Sequence, residues 1–140
     1  MVLVAYRHGL RASELVDLQW TQVDFRTAAL HVRRVKGGTP ATHPILGDEL
    51  RALRRLQREQ EPKSPFVFTS ERGAPFTTAG FARMIERVGI EARLAFKAHP
   101  HMLRHACGGY LLRDNCGAGA GLYAPVTCLV LPANRALLSI

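Results

Sequence analysis

The sequence predicts a mainly helical domain carrying a small antiparallel β-hairpin, an α+β arrangement. Two observations lead there. Helical patterns bounded by glycine or proline occupy residues 47–60, 77–88 and 101–113. Two extended, partly β-branched runs, 29–36 and 39–46, flank Gly37-Gly38, a hairpin signal.

Taken in order, residues 1–6 are apolar and start abruptly, like the last turns of a helix whose beginning is missing. Residues 12–18 read as a short helix with Ser13 as its cap. After the hairpin, the helix over 47–60 places Leu46, Leu50, Leu53 and Leu56 along one side. Arg51, Arg54, Arg55 and Arg58 occupy the rest, read first as a solvated face and second as phosphate contacts. Pro62 and Pro65 end that helix, Phe66-Val67-Phe68 forms a short buried segment, and Glu71-Arg72-Gly73 a turn. Thr77 or Thr78 opens the next helix, which runs to about Val88 and stops before Gly89. The final helix covers 101–113, and no internal repeat is visible.

Composition changes after Asn115. The stretch CGAGAGLYAPVTCLVLPANRALLSI holds two prolines, several glycines and a single charge, Arg135, with no clean helical or strand period. The chain therefore divides into a domain over 1–115 and an unlike tail over 116–140.

One hundred and forty residues suffice for one domain with a real core. No stretch reaches membrane-spanning length, and the opening MVLVAYRHGLR is too short for a secretory signal with its cleavage site. The net charge of +8 and a pI near 10.3 favour a polyanionic partner, nucleic acid first, and the plainer reading is a solvated cationic surface. Cys107, Cys116 and Cys128 make no paired framework, which suits a reducing, cytoplasmic setting.

The residues with the most chemistry are in HPHMLRHACGGY. His101 and Arg104 are three positions apart and share a face on a helix. A guanidinium offers a planar fork of donors to a phosphate and the imidazole a proton-transfer group. Arg11, far upstream in GLRASEL, can bring a second guanidinium. Each has a plainer reading: Arg11 as a helix cap or salt-bridge partner, Lys36 as a solvated turn lysine. His101, His105 and Cys107 suggest metal, but Met102 stands where a zinc-protease helix needs glutamate and no fourth ligand is evident, so none is expected.

Over residues 1–114 the chain resembles the tyrosine recombinases, or phage integrase family. GLRASEL, the lysine of VKGGTPATHPI, FVFTSERGAPFT and HPHMLRHACGGY occur in family order, and the last looks especially like the small integrases related to fimbrial phase-variation recombinases. The resemblance implies a recombinase catalytic-domain fold, incomplete here, with its hairpin or three-stranded sheet at one edge. It implies DNA breakage and rejoining through a covalent phosphotyrosine, with double-stranded DNA as partner and a homo-oligomer assembled on it. Arg11 and Arg104 match the two arginines that hold the scissile phosphate and offset the charge of its transition state. Lys36 matches the hairpin lysine that protonates the leaving 5′-oxygen, and His101 the acid/base histidine of the His-x-x-Arg pair. Glu14 and His105 match supporting positions, with Glu14 orienting a guanidinium or a backbone turn. No metal or organic cofactor is implied, because the phosphodiester's energy is kept in the protein–DNA bond.

The tail departs from the pattern. The family places a His or Trp roughly two dozen residues after the second arginine and the nucleophilic Tyr about nine later. Those offsets fall on Thr127 and Ala136. Tyr123 comes too early, in GLYAPV, and Tyr110 belongs to the ACGGY helix, so the nucleophile is unassigned. The chain reads as a recombinase remnant, cut in front and altered by a frameshift behind, localised with the nucleoid and defective in covalent cleavage. A non-catalytic DNA-binding module or regulator derived from an integrase is the alternative, and a poorly folding pseudogene product a third reading.

Overall fold

A computed structural model describes residues 1–33 and 38–113 of the chain, with the side chains of 108–113 excepted. It contains five α-helices, one 3₁₀ turn and three short strands among those residues, the mainly helical fold with a small antiparallel sheet that the patterns predict. The described residues cluster into two units. One combines residues 1–12 with those from 78 onward, and the other is 13–77.

In the first unit, α1 (Val2–His8), α4 (Thr78–Glu91) and α5 (Pro100–Arg113) pack together, α1 and α4 each against α5. Val2, Val4 and Ala5 of α1, Phe81 and Ile85 of α4, and Leu103 and Ala106 of α5 are buried. Phe81 and Ile85 are four apart, Leu103 and Ala106 three, and Val2, Ala5 and the buried His8 of α1 also recur every three, so each helix buries one face. The abrupt apolar start is therefore a helix that runs to His8, where Gly9 at φ 58° and ψ 37° ends it in the left-handed region.

Gly89 does not stop α4, as the sequence suggests. It lies buried inside the helix, because Ala98 packs where a side chain would be: a Cβ on Gly89 would come within 2.7 Å of that of Ala98. The helix ends two residues later, and the positive-φ residue beyond it is Arg93, not a glycine. α5 starts at Pro100, one residue earlier than expected, with proline at the first helical position where its missing N–H costs nothing.

In the second unit, α2 (Ala12–Val16, its first residue shared with the other unit) leads to a 3₁₀ turn at Trp20–Gln22 and to strands β1 (Val23–Asp24), β2 (Ala29–Val32) and β3 (Ala41–Pro44). Ser13 lies inside α2 instead of capping it, since the helix starts at Ala12 and Ser13's carbonyl accepts from Asp17 N. The strands run antiparallel in the order β1-β2-β3, with Leu30 opposite His43 and His31 opposite Thr42. Asp24 makes the β1–β2 turn: its Oδ1 accepts from the backbone N–H groups of Arg26 and Thr27 at 2.9 and 3.2 Å. The Thr27 hydroxyl first, and then these two N–H groups, hold the Asp24 carboxyl below the usual range.

α3 (Gly47–Glu59) follows the sheet, with Asp48 and Glu49 in its first turn and Arg58 in its last, as the helix dipole favours. Leu46 is not on its apolar stripe. It is the N-cap, with extended backbone, and is 55% exposed, whereas Glu49 and Leu53 are buried. Most of the arginines face solvent, as expected. Arg54 lies over the Phe25 ring and donates to the Phe25 carbonyl, and Arg55 pairs with Glu59. At the end of the helix, Gln60 is a buried polar hub. Its Nε2 donates to the carbonyls of Phe66 (2.9 Å) and Val67 (3.4 Å), and its Oε1 accepts from Trp20 Nε1 (3.1 Å) and Ser64 N (3.4 Å). Val67 and Phe68 are buried as expected, and Phe66 is half-buried.

Candidate functional site

The site is built on α5, whose two faces differ sharply. Leu103, Ala106 and Cys107 are buried, a helical i, i+3, i+4 stripe, while His101 and His105, four apart, are exposed on another face. Arg104 lies between these faces and is half-buried.

The buried face meets the C-terminal end of α1. The last carbonyls of a helix have no partner within it. Here two of that region's carbonyls are served from α5: Arg104 Nη1 donates to Gly9 O at 3.1 Å, and Cys107 Sγ donates to Arg7 O at 3.4 Å. A guanidinium at this end is also favoured by the helix dipole. Close approach is possible because Gly9 has no side chain; a Cβ there would sit 3.3 Å from Cys107 Sγ. Gly9 turns the chain back, with Leu10 N bonded to Ala5 O and the Leu10 side chain buried. The next residue is Arg11, half-buried.

Arg104 and the turn that delivers Arg11 are thus fastened together across 95 residues of sequence. His101 is one turn earlier on the same helix and His105 is adjacent to Arg104 in sequence, both exposed. Glu14 is buried in the first turn of α2, in the other unit. Lys36 lies outside the described residues, though the strands leading to and from its turn are described. Thr127, Ala136 and Tyr123 also lie outside them, as do Cys116 and Cys128, and only the backbone of Tyr110 is described.

Sequence reasoning assigned no part to Gly9 or His8, and weighed Cys107 only as a metal ligand and as an unpaired thiol. Gly9 was recoverable, since glycine just past a helix carrying Arg7 and His8 in its last turn is a C-terminal signal. The burial of His8 and the thiol bond of Cys107 depend on which residues α5 sets against α1 and leave no local trace. Among the described residues no three His, Cys, Asp or Glu side chains are grouped as a metal site, and no helix is long and apolar enough to cross a membrane.

Comparison with known proteins agrees with this fold. Residues 1–118 match the phage integrase family. The type 1 fimbriae regulatory protein FimE of Escherichia coli K12 is 39% identical over 113 residues, covering 77% of this chain and 57% of that protein. The tyrosine recombinase XerC of Lactobacillus delbrueckii subsp. bulgaricus is 30% identical over 121 residues, covering 81% of this chain and 41% of its own length. Among solved structures, the XerA recombinase superposes with a TM-score of 0.69 at 27% identity, over 90% of this chain and 46% of that one. The Tn1549 transposon integrase, solved with circular intermediate DNA, shares the fold with a TM-score of 0.63 at 19% identity, over 97% of this chain and 51% of its own. The chain spans about half the length of the curated relatives it matches. Motif order, helical fold and the joined arginine segments have one common explanation: the chain belongs to the phage integrase family, the tyrosine recombinases.

Proposed function

We propose that this chain binds duplex DNA through a phosphate site made by Arg11, Lys36, His101 and Arg104, within a lineage that breaks and rejoins DNA at specific sites. The observation that carries this reading is the bond from Arg104 to the Gly9 carbonyl, which holds one guanidinium beside the turn that presents the other. A guanidinium has its donors in a rigid fork, a geometry suited to one carbonyl and an oxyanion together. His101, exposed on α5, is the group able to exchange a proton with a phosphate oxygen. Glu14 and His105 support this site, Glu14 by orienting a guanidinium or backbone turn.

The chain binds without cleaving covalently, because the family's nucleophile offset falls on Ala136. A nicked suicide DNA substrate tests both halves. The expected result is reversible binding that weakens in Arg11→Ala and Arg104→Ala, with no covalent adduct. An adduct from the chain as it stands would refute the absence of a nucleophile, and Tyr123→Phe would then be the first variant to make. Failure to bind duplex DNA at low salt would refute the reading as a whole.

A further inference from the structure

α5 carries two exposed imidazoles, His101 and His105, one turn apart on the same side of the helix. We propose that this pair is a metal clamp, an exchangeable site that takes one divalent transition-metal ion of the nickel, copper or zinc class between the two rings.

The helix sets the geometry. Residues four apart on an α-helix have Cβ atoms about 5–6 Å from one another, a span that two imidazole rings can close on a single ion. Histidines at this spacing on one helix face serve as zinc ligands for that reason. α5 is held along its other side, where Leu103, Ala106 and Cys107 are buried and Arg104 donates to Gly9 O at 3.1 Å. The backbone that presents the two rings is therefore fixed by packing, while the rings themselves meet water. Among the described residues neither ring is engaged in a hydrogen bond or ion pair, so each has a nitrogen lone pair to offer.

The donor set selects the ion. α5 has no Asp or Glu in its sequence, and among the described residues no third His, Cys, Asp or Glu completes a cluster with the pair. Mg²⁺ and Ca²⁺ require oxygen ligands, and a chain of net charge +8 repels them. Imidazole nitrogen instead suits zinc, copper and nickel, through coordinate bonds that need no negative side chain. A structural zinc site closes on four protein ligands; with two, the ion is exchangeable and water fills its remaining positions. A filled clamp occupies the His101 lone pair that would exchange a proton at the proposed phosphate site, and so withdraws this group from it.

That consequence rests on the DNA-binding reading; the clamp itself does not, and its test uses no DNA. Ni²⁺ is titrated into the full chain, free of any affinity tag, by isothermal titration calorimetry, with Mg²⁺ as the oxygen-preferring control. The parent is expected to take one Ni²⁺ at its tightest site and to bind Mg²⁺ far more weakly. His101→Gln and His105→Gln should each weaken Ni²⁺ binding by more than the roughly tenfold that losing an outer-shell partner costs. The double variant should be little weaker than either single one, because one ring alone no longer chelates. Two controls should match the parent: His99→Gln, exposed just before the helix, and His31→Gln, on β2 beside Thr42. Far-ultraviolet circular dichroism checks that each variant keeps its helices. Small, additive losses in the two single variants would mark two separate rings and overturn the clamp. So would an equal loss in His99→Gln, or Mg²⁺ bound as tightly as Ni²⁺. A parent that binds no Ni²⁺ would overturn the clamp and leave the DNA-binding reading standing.

Discussion

Replacing Gly9 by alanine tests how the two arginine segments are held together. The residue has φ 58° and ψ 37°, where an L-residue with a Cβ costs roughly 1–2 kcal/mol. The reduced freedom of the unfolded chain returns about 0.4–1 kcal/mol of that. The new Cβ also lands 3.3 Å from Cys107 Sγ and 3.5 Å from Cys107 Cβ, so α5 must yield by a few tenths of an ångström or the thiol must leave Arg7 O. Together these effects predict a net loss of about 1–2 kcal/mol. In urea, followed by far-ultraviolet circular dichroism, that loss lowers the midpoint by roughly 1 M with little change in slope. Gly9→Asn separates the causes, because asparagine tolerates the left-handed region better than alanine. If conformation dominates, Asn costs less than Ala; if crowding against Cys107 dominates, Asn costs as much or more. Repeating Gly9→Ala in a Cys107→Ala background removes the crowding and leaves the backbone cost alone. A Gly9→Ala protein as stable as the parent would refute the reasoning, since neither the left-handed turn nor the close approach would then be required. DNA affinity should fall alongside stability, because the carbonyl that anchors Arg104 belongs to the same residue.

Three further outcomes are expected. Gly89→Ala should destabilise by roughly 1–2 kcal/mol in thermal unfolding, because overpacking against Ala98 exceeds the helix-propensity gain of about 1 kcal/mol, and Ala98→Gly in the same chain should recover much of the loss. Gln60→Leu should cost about 2–5 kcal/mol and shift the emission of Trp20, the single tryptophan, because Trp20 Nε1 loses its acceptor and the Phe66 and Val67 carbonyls lose their donor. Asp24 has a folded-state pKa below its unfolded value of 3.8, so its contribution to stability is present above that value and is lost as pH falls through the lower folded value. Acid titration of unfolding should therefore show the parent and Asp24→Ala converging below that range, and an unchanged gap there would refute the turn's dependence on the charged carboxylate.

Much of the helical skeleton was legible because helix formation is signalled locally. The last turn before Gly9, the dipole-matched ends of α3 and proline at the start of α5 all stand in consecutive letters. Errors arose where a local signal competes with packing. Gly89 has the look of a stop, but its lack of a side chain serves Ala98, and the helix continues through it. Leu46 fits an apolar spacing, but its extended backbone takes it off the stripe and leaves it exposed, while Glu49 in the first turn is buried. The short strand at Val23–Asp24 escaped because a two-residue strand has no period; its pairing with Ala29–Leu30 defines it.

For the site, the order of motifs along the chain was enough to nominate Arg11, Lys36, His101 and Arg104 and to point to the family. His101 and Arg104 share α5, so their relation follows from helical geometry alone. The link between Arg104 and the turn before Arg11 is different in kind. It depends on α1 packing against α5, on a left-handed glycine that permits the approach, and on unsatisfied helix-end carbonyls that draw in a guanidinium and a thiol. Residue types and spacing by themselves nominated the groups proposed for phosphate chemistry. Only the tertiary structure decided that two segments 95 residues apart are held together, because hydrogen-bond partners distant in sequence are chosen by packing and not by neighbouring residues.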